Sequence, residues 1–203
     1  MSLSLLPPPW RSPPTLRGAH AWLEPLQTTH ADGLREALGG GALSKLWYTS
    51  VPAPYGVLAY VEAALVMQGE GQAPPLAIRS AAGRVVGSTR FYGLEADVPR
   101  LDIGYTWYAQ DVQRSGINTE TKLMLLTHAF ETLGCISVGF ETSWFNHASR
   151  TAIARLGAKQ DGVLRNRKRH ADGSPRDTVV FSIIDAEWPA VRRHLQSRLD
   201  AHA

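Results

Sequence analysis

Between Asp111 and Gly134 the chain reads DVQRSGINTETKLMLLTHAFETLG, a polar, glycine-bearing stretch that runs straight into a strongly periodic apolar segment. Gln113, Gly116 and Asn118 fall between a strand end and a helix start. Backbone N–H groups there have no partner within the helix and the helix dipole is positive, so the position suits an anion. Gly116 would let the chain approach a phosphate closely, and Asn118 is small enough to cap the helix without blocking the site. A simple turn would account for the same glycine. The loop lacks the Gly-Lys-Ser/Thr ending of a P-loop and the three-glycine dinucleotide signature, which argues against ATP and NAD. Seven scattered histidines, none in a His-Glu-x-x-His arrangement, and a single cysteine, Cys135, give metal catalysis no support. No Gly-x-Ser-x-Gly elbow marks a serine hydrolase.

The elements that must hold this loop follow from periodicity. Thr15 to Leu26 reads as a strand, TTHADGLREAL as a short helix capped by Thr29 or a nearby polar group, and Tyr55 to Gly71 as a second helix with Val57, Tyr60, Val61, Ala64 and Leu65 on one side. Three strand-like runs follow, PLAIRS, RVVGSTRFYG and RLDIGYTWYA, the first two joined by a tight turn between Ala81 and Arg84. Leu123, Leu126, Phe130 and Leu133 form one buried stripe, so the spacing predicts a helix over Asn118 to Leu133 with Gly134 as its stop. A strand at CISVGFETSW, a short helix from Asn146 to Gly157, a strand at TVVFSII and a closing helix from Glu187 to Leu199 complete the chain.

Composition sets the bounds. A chain of 203 residues with 44% hydrophobic and 19% charged residues suits one globular domain. Residues 1–14 hold five of the thirteen prolines and read as a flexible leader, with residues 15–203 as the domain. The longest apolar stretch, Tyr55 to Met67, is interrupted by Glu62 and is shorter than the ~20 residues a membrane helix needs. With no secretory signal pattern and one cysteine, a cytoplasmic protein with no membrane partner is expected. Much of the net charge of +3 sits in LRNRKRH, Leu164 to His170. That run reads as a solvated hairpin edge rather than a nucleic-acid contact, which would need a broader basic face.

The segments LDIGY on the fourth strand, the Gln-x-x-Gly-x-small loop, the long helix, and NHASRTAIARLGA together resemble the core of the GNAT acetyltransferase superfamily. They are most similar to the RimJ/RimL type of protein N-terminal acetyltransferases, and the likeness runs in order from about Leu16 to Ile184. The resemblance implies an α/β (α+β) fold: a mixed, mostly antiparallel sheet of six to seven strands, flanked by helices and splayed open between its fourth and fifth strands. Acetyl-coenzyme A would sit in the gap, with its pyrophosphate on Gln113, Arg114, Ser115, Gly116, Ile117, Asn118 and Thr119. The reaction implied is direct attack of a primary amine, on a protein N-terminus or a small molecule, within a ternary complex. A non-catalytic acyl-CoA-binding module is the alternative, and a homodimer is compatible with either.

Acetyl transfer requires an unprotonated amine, a stabilised oxyanion and a proton for the departing thiolate. The resemblance assigns backbone N–H groups around Trp107 and Tyr108 to the thioester carbonyl, Asn146 to a cofactor contact, and Ser149 to the leaving sulfur as acid. Asn146 as a helix cap and Ser149 as a first-turn residue would explain the same letters. Some relatives carry a carboxylate in the hairpin that is basic here, which leaves Glu141 or Asp102 as the base, with Glu141 preferred and Asp102 expected in a structural ion pair; a water-relayed or unassisted deprotonation would also serve. Trp47, Tyr48, Phe91, Tyr92, Trp107 and Tyr108 could line an acceptor pocket or simply pack.

Overall fold

The computed structural model describes residues 6–201. A turn of helix, α1 (Pro8–Arg11), precedes strands β1 (Leu16–Arg17) and β2 (Ala21–Pro25). Helices α2 (Ala31–Leu38) and α3 (Val57–Gly69) lead into the meander β3 (Pro75–Ser80), β4 (Val85–Glu95) and β5 (Arg100–Tyr108). Helix α4 (Gly116–Thr127) runs on as a π-turn over His128–Thr132. Then follow β6 (Ser137–Ser143), α5 (His147–Ala154), the hairpin β7 (Lys159–Arg169) and β8 (Pro175–Ile184), and α6 (Trp188–Asp200). Among the described residues no helix is long and apolar enough to cross a membrane.

One mixed sheet carries all eight strands in the order β1-β2-β3-β4-β5-β6-β8-β7. Every pairing is antiparallel except β5 with β6. That parallel pairing lasts only from Arg100, Leu101 and Asp102 to Ser137, Val138 and Gly139, although β5 continues to Tyr108 and β6 to Ser143. The sheet therefore opens between these two strands. The strand count exceeds the expected six to seven because the segment Thr15 to Leu26 is not one strand. The Glu120 carboxylate of α4 accepts hydrogen bonds from the N–H groups of Ala19 (2.7 Å), His20 (2.6 Å) and Ala21 (2.7 Å), folding that segment into the β1–β2 hairpin. With the hairpin counted as one, the opening lies between the fourth and fifth strands.

Alternation along the strands divides the core into two layers. On one face Phe91, Leu101, Ile103, Val138, Phe140 and Phe181 pack with Leu125, Leu126, Ala129 and Phe130 of α4 and its π-turn. On the other, Leu34, Val57, Val61 and Ala64 of α2 and α3 cover Ala77, Val85 and Trp107. Within the proline-rich start, Leu6 and Trp10 are 4% and 6% exposed and belong to the α4-side core. Residues 1–5 lie outside the described part of the chain. Trp10→Ala is accordingly expected to cost about 3 kcal/mol or more, read as a lowered midpoint in urea, whereas a free leader would leave the midpoint unchanged.

Candidate active site

The loop before α4 is built by local geometry. Residues Gln110–Val112 form a single 3-10 turn, and the Gln113 side chain donates to the Tyr108 carbonyl at 3.3 Å. Arg114 takes a left-handed conformation, φ 63°, which is uncommon for a residue with a side chain and turns the chain into the helix. Ser115 is the N-cap: its hydroxyl accepts from the Ile117 N–H at 3.3 Å and donates to the Val112 carbonyl at 2.6 Å. Asn118, expected to cap, lies inside the first turn instead, because the helix begins two residues earlier. Gly116 is buried, and a methyl there would meet the His20 ring at 3.2 Å, so its lack of a side chain admits His20. The amides at this helix start have no carbonyl one turn earlier to bond. Together with the helix dipole they leave a positive mouth beside the sheet opening.

A β-bulge shapes the opening itself. Gly104 pairs with Arg90 and Trp107 with Ser88, so Tyr105 and Thr106 together oppose Thr89, with Tyr105 left-handed at φ 52°. Bulges bend the strand that carries them, which accounts for β5 leaving β6 after three pairs. Beyond the bulge, the Ala109 N–H donates to Val86 of β4 at 2.7 Å. Alternation then turns the Trp107 N–H toward β4 and the Tyr108 N–H toward the open edge. Of the two amides assigned to a thioester carbonyl, Tyr108 faces the opening. Below the bulge, the buried Lys122 of α4 donates from Nζ to Thr106 Oγ1 at 2.9 Å and lies 5.8 Å from the centre of the Phe140 ring.

The opposite face of the same strands carries carboxylates. Asp102 and Tyr92 are cross-strand partners, Gly139 is the partner of Asp102 on β6, and Glu141 follows two residues on, on the same face. The ion pair expected at Asp102 is found at Glu141 instead. Glu141 Oε2 is bonded by Lys168 Nζ at 2.6 Å, because β7 folds back over β8 and brings its basic run across β6. Asp102 forms no ion pair among the described residues, and its pKa is pushed up to about 6, first by burial and then by the negative Glu141 nearby. Tyr92 is held well above the usual phenol range by burial and by both carboxylates, which keeps it neutral.

Gly139 is what makes room for Asp102. A methyl at Gly139 would land on Asp102 Oδ1. Gly139→Ala is therefore expected to displace that carboxylate, with NMR titration of Asp102 as the measurement and an unaltered titration as the contrary result.

At the far end of β6, Asn146 Oδ1 accepts from the Ser149 N–H at 3.0 Å, so Asn146 caps α5 and Ser149 stands in its first turn, half-buried. Trp47 and Phe145 are about half exposed and their rings lie 5.2 Å apart, with His170 4.7 Å from Trp47. This aromatic cluster joins the α2–α3 loop, the β6–α5 loop and the β7–β8 hairpin. Phe91 and Trp107 are core residues, 2% and 5% exposed. Tyr92 packs edge-on against Tyr105 beside the bulge.

An opening in a mixed sheet between a bulged strand and its parallel neighbour, with a helix start at its mouth, is a specific architecture. A family model described as "Acetyltransferase (GNAT) domain" matches residues 20–159. The chain belongs to the GNAT acetyltransferase family. A T. thermophilus protein described as an acetyltransferase superposes with a TM-score of 0.80 at 32% identity, covering 92% of this chain and 97% of that one. Mycobacterium smegmatis RimJ in complex with CoA-disulfide shares the fold, with a TM-score of 0.75 at 20% identity over 95% and 97% of the two chains. The uncharacterized N-acetyltransferase YoaA of Bacillus subtilis (strain 168) is 29% identical over 100 residues. That match covers 49% of this chain and 55% of YoaA, so the chain spans about half the length of that curated relative.

As a GNAT domain, this chain carries its titratable groups on both sides of the opening, and sequence reasoning finds only part of them. Lys122 escapes it, although the signal is legible: it precedes Leu125 and Leu126 by three and four residues and so shares their buried side of α4. Phe145 and His170 have no local signal, since their meeting with Trp47 depends on three separate loops.

Proposed function

We propose that this GNAT protein is an N-acetyltransferase of the RimJ/RimL type, passing the acetyl group of acetyl-CoA directly to a primary amine, with a protein N-terminus as the first acceptor class to test and small amines as the second. The observation that carries the reading is continuity: the open edge of β5 leads past Tyr108 and Gln113 into the unpaired amides at the start of α4. The residues present suit the coenzyme. The mouth of α4, from Gln113 to Thr119, offers a diphosphate a positive, amide-rich surface. The uncovered edge from Thr106 to Tyr108 offers a pantetheine amide or a carbonyl oxygen a strand to pair with. M. smegmatis RimJ, which shares the fold, holds a CoA derivative in its structure.

Acetyl-CoA supplies an activated acyl thioester and a thiol leaving group. The chain supplies the rest. Asp102 accepts the proton that the acceptor ammonium must lose; an ionised carboxylate with a pKa near 6 serves that role near neutral pH. Glu141, paired with Lys168, keeps Asp102 basic through its charge rather than acting itself. The Tyr108 N–H stabilises charge on the carbonyl oxygen. Ser149 presents a hydroxyl for the leaving sulfur, and Asn146 fixes the turn that carries it. Trp47, Phe145 and His170 form the rim over which an acceptor enters.

The test is thiol release from acetyl-CoA across a panel of N-terminal peptides and small amines, with the products read by mass spectrometry. Amine-dependent release with an N-acetylated product is expected. Background release throughout, with coenzyme A still raising the melting temperature, would leave a binding module in its place.

A further inference from the structure

Lys122 is a buried cation that the reaction described above does not use. It is 6% exposed, and its Nζ has one hydrogen bond among the described residues, to the Thr106 hydroxyl at 2.9 Å. No carboxylate pairs with it there. Buried charges are ordinarily paired, and an unpaired one costs several kcal/mol, so a lysine kept in this place calls for a partner that arrives later. Its position says which kind. Thr106 is on the bulge at the open edge of β5 and Phe140 is on β6, so Lys122 reaches up between the two strands where they separate. Thr106 Oγ1 also lies 2.8 Å from Thr89 Oγ1, which holds the threonine rotamer.

We propose that Lys122, acting through Thr106, is a positioning residue that places a positive charge under the coenzyme sulfur and stabilises the thiolate as it leaves. The proposal rests on the acetyl-CoA reading of the cleft. In the step it serves, the amine, already relieved of its ammonium proton by Asp102, forms the new C–N bond with its lone pair, the C–S electron pair departs on sulfur, and the second nitrogen proton leaves to solvent. Thr106 Oγ1 accepts from the ammonium, and its own proton, which has the Gly104 carbonyl at 3.4 Å as an acceptor in the free protein, would turn to the sulfur when the coenzyme binds. Lys122 keeps its proton throughout, and the thiolate takes one from Ser149 or solvent before release.

Among the described residues around it, Lys122 is the charge left available for this. Glu120, earlier in the same helix, is bound to three backbone amides of the β1–β2 hairpin. His20 lies against Gly116, His128 stacks on Phe91, and Glu131 bonds Trp188 and Arg192 of α6. From β5 comes Tyr108, whose phenol burial holds neutral, and from β6 come Val138, Phe140 and Thr142, which do not titrate. Burial alone brings the Lys122 ammonium down to about 7, so in the free protein its charge is marginal at neutral pH and an adjacent thiolate would restore it.

The experiment titrates the thiol of bound coenzyme A by its thiolate ultraviolet absorbance, in wild type, Lys122→Met and Lys122→Arg, with the affinity of each measured by calorimetry. A neighbouring cation lowers a thiol pKa, so the wild-type complex should ionise its thiol about one pH unit or more below free coenzyme A. Lys122→Met should abolish that shift, and Lys122→Arg should retain it. In turnover, Lys122→Arg should move the high-pH decline of kcat upward, because guanidinium does not titrate there. A wild-type complex with an unshifted thiol overturns this proposal and leaves the acetyl-CoA reading standing. Failure of coenzyme A to bind the wild-type protein overturns both. Should Lys122→Met not fold, the wild-type thiol shift and the Lys122→Arg pH profile decide the matter.

Discussion

Asp102→Asn should lower kcat/KM for amine acetylation by roughly 100-fold or more, the usual contribution of a positioned general base, while coenzyme A binds as before. Asp102 is on the face of the sheet away from α4, where the acceptor amine would arrive, and nothing among the described residues neutralises it by an ion pair. In the wild type, kcat/KM should rise as pH rises through about 6, because only the ionised carboxylate can take a proton. The variant should lose that limb. Stability should move the other way. A carboxyl whose folded pKa is raised binds its proton more tightly folded than unfolded, so the wild-type protein loses stability as pH climbs from about 4 to about 6. The neutral amide of the variant carries no such cost, and its melting temperature at pH 7 should equal or exceed wild type. A variant with full kcat/KM at pH 7 would remove Asp102 from the chemistry.

Glu120→Ala should produce the largest loss of stability of any single change considered. It would take the carboxylate acceptor from three N–H donors, of Ala19, His20 and the buried Ala21. Hydrogen bonds to a charged group contribute about 1.5–3 kcal/mol each, and these three share one carboxylate, so about 3–5 kcal/mol in total is the reasonable scale. For a chain of this size that corresponds to a melting temperature lowered by roughly 10 °C. The hairpin would also loosen against the start of α4, where His20 covers Gly116, so coenzyme A affinity should fall with stability. A melting temperature within a degree or two of wild type would show that the hairpin folds without its anchor.

These two residues also mark where sequence reasoning stops. Local patterns are enough for the meander, the crossover helix, the Asn146 cap and the closing helix, because periodicity and turn chemistry act within a dozen residues. The sheet opening follows from family resemblance, and the bulge at Tyr105 supplies its physical cause. What escapes depends on partners far along the chain. The first strand is broken by a carboxylate 100 residues from His20, and the proline-rich start is held because Trp10 finds the α4-side core. The ion pair expected at Asp102 falls on Glu141 because the β7–β8 hairpin brings Lys168 to it, a contact set by strand pairing far along the chain. The helix cap moves from Asn118 to Ser115 because a left-handed Arg114 starts the helix early.

The most direct single measurement is a crystal structure of the protein grown with acetyl-CoA. The account predicts the diphosphate against the amides that open α4, between Gln113 and Thr119, with the pantetheine lying along Thr106 to Tyr108 in the opening between β5 and β6. Density for the coenzyme at any other place, with that opening filled by side chains or solvent, would contradict it.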